Sequence, residues 1–257
     1  MPTVLIDDRN AIRTITLNRP ERRNAIVPEM QVELMDALTG AEAAGAHVVI
    51  LAGAGESFCA GMDLSVLQQM EALTAEQHYA EAERLSRMFR TLWELPLPTI
   101  AVVHGAAVAG GTGLATLCDF TLAAPEAKFG YTEARIGFIP ALVSAYLVLQ
   151  LGDKAAGSLL LSARLFDAVE AHRFGLVQEV VSREALSARA HALAGELMAN
   201  SPASLRATKA LLRAQQSAWL DRALSLAMEA NAASRRTPDF REGVASFLEK
   251  RKPNWSR

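Results

Sequence analysis

Residues 99–119 read TIAVVHGAAVAGGTGLATLCD. Thr99–Val103 are β-branched or small and apolar, the composition of a strand buried on both faces. His104 to Gly113 then bring glycines at 105, 110, 111 and 113 and no bulky aromatic or long apolar side chain. The run Leu114–Leu117 reads as a short helix. Strand, glycine-rich loop and helix in that order form an α/β connection whose loop can aim free backbone N–H groups at an anion. The loop comes close to a phosphate cradle, because GAAVAGGT fits GxxxxGK[ST] except at Gly111, where lysine is required. Without that lysine there is no phosphate clamp. The dinucleotide pattern GxGxxG also fails, since Thr116 stands at its last position.

Upstream the same order recurs. His47–Ala52 (HVVILA) is a buried strand, and Gly53–Asp63 is a second loop rich in Gly and Ala, with Phe58 and Leu64 as anchors. Ala60 and Gly61 let that loop's backbone approach a ligand. A long helix is predicted over 74–94, closed by Pro96 and Pro98. Its Leu85, Met88, Phe89 and Leu92 fall on one face, as core or as pocket wall. Before these, residues 3–7 and 11–17 read as a hairpin and 28–44 as a helix. Residues 119–124 read as another strand. Beyond Ala141 the chain is mostly helical apart from a short strand at 176–181, and Ser201-Pro202 opens an Ala/Arg/Leu-rich helical stretch. Strands alternating with helices predict an α/β architecture with parallel pairing, with a core over 1–200 and a helical region over 201–257.

Composition narrows the function. The 257 residues carry 26 basic and 28 acidic side chains. That balance argues against a nucleic-acid partner. The apolar stretches are too short or too interrupted to span a membrane. MPTVLIDDRN has acids where a secretory leader needs bases, so a soluble, cytoplasmic protein is expected. Cys59 and Cys118 imply no disulfide framework. No Cys/His cluster has metal-ligand spacing, and no GxSxG elbow is present. His104, at a strand end, reads as a satisfied core histidine, and Cys118 as packing.

Several segments, in order, resemble the crotonase superfamily of enoyl-CoA hydratases and isomerases. NRPERRNAI (18–26) looks like that family's first CoA loop, FCAGMDL (58–64) its first oxyanion loop and GAAVAGGTGLATLCD (105–119) its second. AKFGYTEARIGFIP (127–140) resembles its catalytic glutamate segment, LSARLFDAVEAHRFGLVQEVV (161–181) the element after the core, and FLEKRKPNW (247–255) its tail. The resemblance implies a spiral of ββα units followed by a C-terminal helical trimerisation region, in trimers or hexamers. It implies an acyl-CoA thioester substrate and no cofactor beyond the coenzyme A that the substrate itself carries. It places the oxyanion donors at the backbone N–H groups of Met62 and Gly110. CoA contacts are implied at Arg22, Arg23, Ala25, Ala60, Asp63 and Leu64, and from a neighbouring subunit at Phe247 and Lys250. The chemistry suits the motif: a thioester enolate concentrates charge on one oxygen, and paired N–H donors stabilise it most in the transition state.

Enolate chemistry also needs a proton carrier. Hydratases of this family commonly use two glutamates. Glu133 fills the second position, with Thr132 as a possible helix cap. Gly113 stands at the first. Ile139-Pro140-Ala141 likewise departs from the glycines that many two-glutamate relatives carry there. Both departures resemble branched-chain and 3-methylglutaconyl-CoA hydratases. The expected activity is therefore hydration of an enoyl-CoA with Glu133 as sole acid/base. A Δ3,Δ2-enoyl-CoA isomerase and a catalytically weak acyl-CoA-binding homologue are the alternatives. Ser144 reads as a substrate contact or a helix cap.

Overall fold

The computed structural model describes residues 1–70 and 73–255. Ser256 and Arg257, the end of the expected helical region, lie outside the described residues.

The chain opens with the expected hairpin, β1 (Val4–Arg9) against β2 (Ile12–Leu17). Helix α1 (Pro28–Thr39) follows, with proline at its first position, where a missing N–H costs nothing. It stops short of the predicted residue 44, because Gly40 caps it and residues 41–45 form turns that end at Gly45, whose φ is 82°. A repeat then begins. Strand β3 (Val48–Gly53) leads to β4 (Ser57–Cys59), α2 (Leu64–Gln69) and α3 (Ala75–Glu94). Strand β5 (Thr99–Val103) leads to β6 (Ala106–Val108) and α4 (Gly110–Leu117). Strand β7 (Phe120–Ala123) leads to β8 (Lys128–Gly130), a 3-10 turn at Glu133–Ile136 and α5 (Ala141–Ser162), which breaks at Gly152.

The first strand of each repeat joins one sheet and the second joins another. The larger sheet runs β1-β2-β3-β5-β7-β10, where β10 is Glu179–Val180. The smaller runs β4-β6-β8-β9, where β9 is Phe166–Asp167. Pairing is parallel from β2 through β10, and from β4 through β8. This is the ββα spiral. Strands β4 and β6 fall inside stretches that read as glycine loops, and β8 inside the stretch that resembles the catalytic glutamate segment. At three residues apiece, rich in Ala, Ser and Gly, they are too short to show alternation.

Helix α3 starts at a full capping box between Thr74 and Gln77. Leu85, Met88, Phe89 and Leu92 are all buried. Beyond the spiral lie α6 (Ala168–Arg173), α7 (Leu186–Met198), α8 (Pro202–Ser234) and α9 (Pro238–Leu248). Ser201 caps α8 at the predicted junction. Helix α8 packs on α3 and α5, and is clipped to the spiral through Asp119. Lys209 Nζ donates to Asp119 Oδ2 at 2.5 Å, and Arg213 Nη2 to Oδ1 at 2.8 Å. Asp119 is therefore a charged anchor just ahead of β7, outside the strand that was predicted to include it. Helix α9 rests on the Glu133–Ile136 turn. A Cβ at Gly243 would lie 2.2 Å from the Ile136 carbonyl, and one at Gly137 (φ 64°) would lie 2.1 Å from Asp239 O. Among the described residues, no helix is long and apolar enough to cross a membrane.

Candidate active site

Three consecutive loops converge because their strands are neighbours in the smaller sheet. Val108, at the end of β6, pairs with Gly130, at the end of β8. Gly110 lies two residues beyond the first and Glu133 three beyond the second. Ala109 N–H donates to Gly130 O at 2.6 Å, and Thr112 Oγ donates to Ala107 O and Gly130 O, which ties the loops together. Ala109 has φ 52° and ψ −123°, a region that non-glycine residues rarely occupy. That conformation turns the chain so that Gly110 becomes the first residue of α4. The first intrahelical bond is Gly113 N–H to Ala109 O, so the Gly110 N–H is left without a helical acceptor.

The other donor is held by a parallel bridge between Ile26 and Met62. Ile26 N–H donates to Gly61 O at 2.7 Å and Asp63 N–H to Ile26 O at 2.9 Å. In that pattern the N–H of Met62 points away from Ile26. Gly61 has φ 84°, and a Cβ there would stand 2.9 Å from Val108 O and 3.6 Å from the Gly110 nitrogen. The glycine lets the two loops touch, with both donors beside one space.

That space is a cavity of about 710 Å³. Met62, Gly110 and Glu133 all line it, as do Arg22, Arg23, Ala25, Ala60, Asp63, Leu64 and Phe247. Lys250 does not. It is exposed in the turn after α9, with φ 54°. Phe247, 55% exposed, borders this cavity, and the resemblance assigns both it and Lys250 to a neighbouring subunit's CoA. Asp63 spends its side chain on structure: Oδ1 caps α2 through Ser65 N–H at 3.0 Å, and Oδ2 accepts from Arg19 Nη1 at 2.8 Å. Burial pushes its carboxyl up, but the Ser65 and Arg19 bonds outweigh it and hold the group below the ordinary range.

Glu133 differs. It is 8% exposed and its Oε2 has no hydrogen-bond partner. Burial raises its pKa to about 7, only partly offset by its own backbone N–H. A carboxyl poised there can both take and return a proton near neutrality. Thr132 supplies no cap, so the Glu133 turn is held by Phe138 N–H to Glu133 O at 3.1 Å and by α9 behind it. Gly113 is buried, and a Cβ there would meet Val143 Cγ1 at 2.6 Å and Phe89 at 3.4 Å. Apolar side chains thus fill the place of a first glutamate.

Cys59 and Cys118 are buried thiols whose pKa burial raises to about 12, so neither is a nucleophile. His104 Nε2 lies 2.9 Å from Gly55 O, the satisfied role expected. Ser144 donates within α5, to Ala141 O at 2.6 Å.

Some working residues carry no local signal in the sequence. Asn24 is fully buried and its Nδ2 donates to Ala54 O and Ser57 O, both at 2.8 Å, joining the CoA-type loop to the oxyanion-type loop. Arg19 secures Asp63. Asn231 and Arg235, from α8 and its end, line the cavity from the far side of the sequence.

A family model described as enoyl-CoA hydratase/isomerase matches residues 7–257. A putative enoyl-CoA hydratase of Thermus thermophilus is 44% identical over 96% of this chain and 98% of that protein. The 1,2-epoxyphenylacetyl-CoA isomerase of Escherichia coli is 32% identical over 100% of this chain and 99% of its own. A solved enoyl-CoA hydratase/isomerase from Xanthobacter autotrophicus superposes with a TM-score of 0.89 at 31% identity, over 99% of each chain.

Proposed function

Since the chain belongs to the enoyl-CoA hydratase/isomerase family, we propose that it adds water across the 2,3 double bond of an enoyl-CoA, with Glu133 as sole acid/base. The Glu133 carboxylate takes a proton from water as the oxygen adds to C3. The resulting enolate oxygen lies between the N–H groups of Met62 and Gly110. The protonated Glu133 then returns its proton to C2, so one group closes the cycle. The observation that carries this reading is a buried, unpartnered carboxyl of raised pKa in the same cavity as both donors.

Arg22 and Arg23, exposed on the loop at the cavity edge, are suited to the CoA phosphates. The branched or substituted acyl chain suggested by Gly113 and Ala141, such as that of 3-methylglutaconyl-CoA, belongs to this proposal too. So does trimerisation, supported by Leu211, Leu212 and Leu226 exposed along α8. Sedimentation of the purified protein reads that directly.

The apolar wall of Val143 and Phe89 facing Gly113 favours a second reading, the Δ3,Δ2 isomerase, in which the same carboxyl moves a proton from C2 to C4 without water. Product analysis separates the two. The hydratase yields 3-hydroxyacyl-CoA from a 2-enoyl ester, and the isomerase yields a 2-enoyl ester from a 3-enoyl one. Glu133→Gln should lower either rate about 10²- to 10⁴-fold, and kcat/KM should rise with pH through about 7, as the carboxylate forms. A variant that keeps full activity removes Glu133 from the mechanism. A wild type without either product removes the enzyme proposal.

A further inference from the structure

The cavity has a second unsatisfied region, separate from Glu133. Arg235 ends α8, and Asn231 lies one helical turn before it on the same face. They are 3% and 2% exposed, yet both line the cavity. The Nε and Nη1 of Arg235 and the Oδ1 of Asn231 have no hydrogen-bond partner. The Arg235 guanidinium stands 5.8 Å from the ring centroid of Phe138, which also lines the cavity. The neighbours add positive charge: burial and Arg84 both push the Arg235 pKa down to about 10. His78, also buried without a partner on Nδ1, is pushed down by burial and then by the charges of Arg235 and Arg236. Glu81 is committed to Arg84.

A buried guanidinium with unpartnered N–H groups is costly and is ordinarily matched by a carboxylate. Its place along α3 indicates which part of a ligand would match it. Phe89 borders Gly110 and Gly113 at the oxyanion end. Arg84 and His78 lie five and eleven residues earlier on α3, about 8 and 16 Å at the helical rise. Measured along the α3 axis, the cationic cluster therefore begins about 8 Å from the oxyanion end, a short acyl chain's length, on the side of Leu85 and Phe138. Arg22 and Arg23 belong to a different loop.

Resting on the acyl-CoA reading above, we infer that Arg235, with Asn231, is the specificity-determining end of the acyl pocket, and that the preferred enoyl-CoA carries a carboxylate at the far end of a short acyl chain. The planar fork of Arg235 can take the carboxylate in two bonds, and the Asn231 amide can turn its NH2 to the same group. A methyl terminus would leave the guanidinium buried and unmatched, and a site of that kind rejects its apolar analogue strongly.

The test uses length-matched 2-enoyl-CoA esters, one ending in carboxylate and one in methyl, with wild type, Arg235→Met and Arg235→Lys. Wild type should favour the carboxylate ester at least tenfold in kcat/KM. Arg235→Met should abolish that preference, with kcat/KM falling at least tenfold more on the carboxylate ester than on the methyl ester, and with a melting temperature at or above wild type. Arg235→Lys should keep part of the preference. Equal losses on both esters would place Arg235 on the shared CoA moiety and overturn the inference, as would a wild type that prefers the methyl ester. Calorimetric binding of a saturated carboxylate-ended acyl-CoA, compared between wild type and Arg235→Met, needs no turnover. If wild type turns over neither ester but the binding difference persists, the hydratase proposal fails and this one stands. If binding is also equal, this one fails.

Discussion

Gly113 and Val143 occupy each other's space: a Cβ on Gly113 would lie 2.6 Å from Val143 Cγ1. They sit on different helices, α4 and α5, and meet beside the loop that presents the Gly110 N–H. Gly113→Ala should cost about 1–3 kcal/mol through overpacking. Val143→Ala in the same chain should recover much of it, a coupling of at least about 0.5 kcal/mol in a double-mutant cycle. Urea denaturation of the four proteins measures this, and strict additivity would mean that the two do not compete for the space.

Glu133 links stability to pH. Its pKa rises from 4.5 to about 7 on folding. Below 4.5 both states are protonated and its contribution is fully present. As pH climbs, the unfolded chain releases its proton first, so stability falls until the folded pKa is passed. The loss is about 3 kcal/mol at most. Glu133→Gln should remove that portion of the slope between pH 4.5 and 7, and an unchanged slope would assign it to other groups.

Asp119 anchors α8 through Lys209, itself 8% exposed. Asp119→Ala strands a buried cation and should destabilise by about 3–5 kcal/mol. Adding Lys209→Met should return part of that loss. A cost below about 1 kcal/mol for Asp119→Ala would show that Lys209 escapes to solvent.

Gly243→Ala replaces a helical glycine, a change that ordinarily favours a helix by about 0.5–1 kcal/mol. Here the added methyl would meet backbone of the Glu133 turn at 2.2 Å. The expected result is a loss of stability together with a drop in kcat, as α9 is pushed off the turn that carries Glu133, the proposed acid/base. A rise in melting temperature with full activity would contradict that packing.

Much of this was legible before any coordinates. Buried strands such as His47–Ala52 and Thr99–Val103 declare themselves by composition, and the glycine loops between strand and helix by their lack of side chains. What stayed hidden has particular reasons. Strands β4, β6 and β8 are three residues long and look like loop. Thr132 precedes Glu133 as a cap would, yet a one-turn 3-10 helix offers little to cap. Asp119 reads as part of a strand because its partners, Lys209 and Arg213, are about ninety residues away in sequence. Arg235 and Asn231 lie in an unremarkable Ala-rich helix, and only tertiary packing turns them towards the cavity.

The bridge between Ile26 and Met62 gives one piece of backbone two duties. In the proposed complex the stretch holding Arg22 and Arg23 cannot shift without dragging the carbonyl's donor along with it. The nucleotide end of the thioester then acts as a handle, and tension on that handle sets alignment at the reacting end through protein rather than through the ligand's slack pantetheine arm. A thioester trimmed of its nucleotide would lose that leverage and turn over more slowly even at saturation.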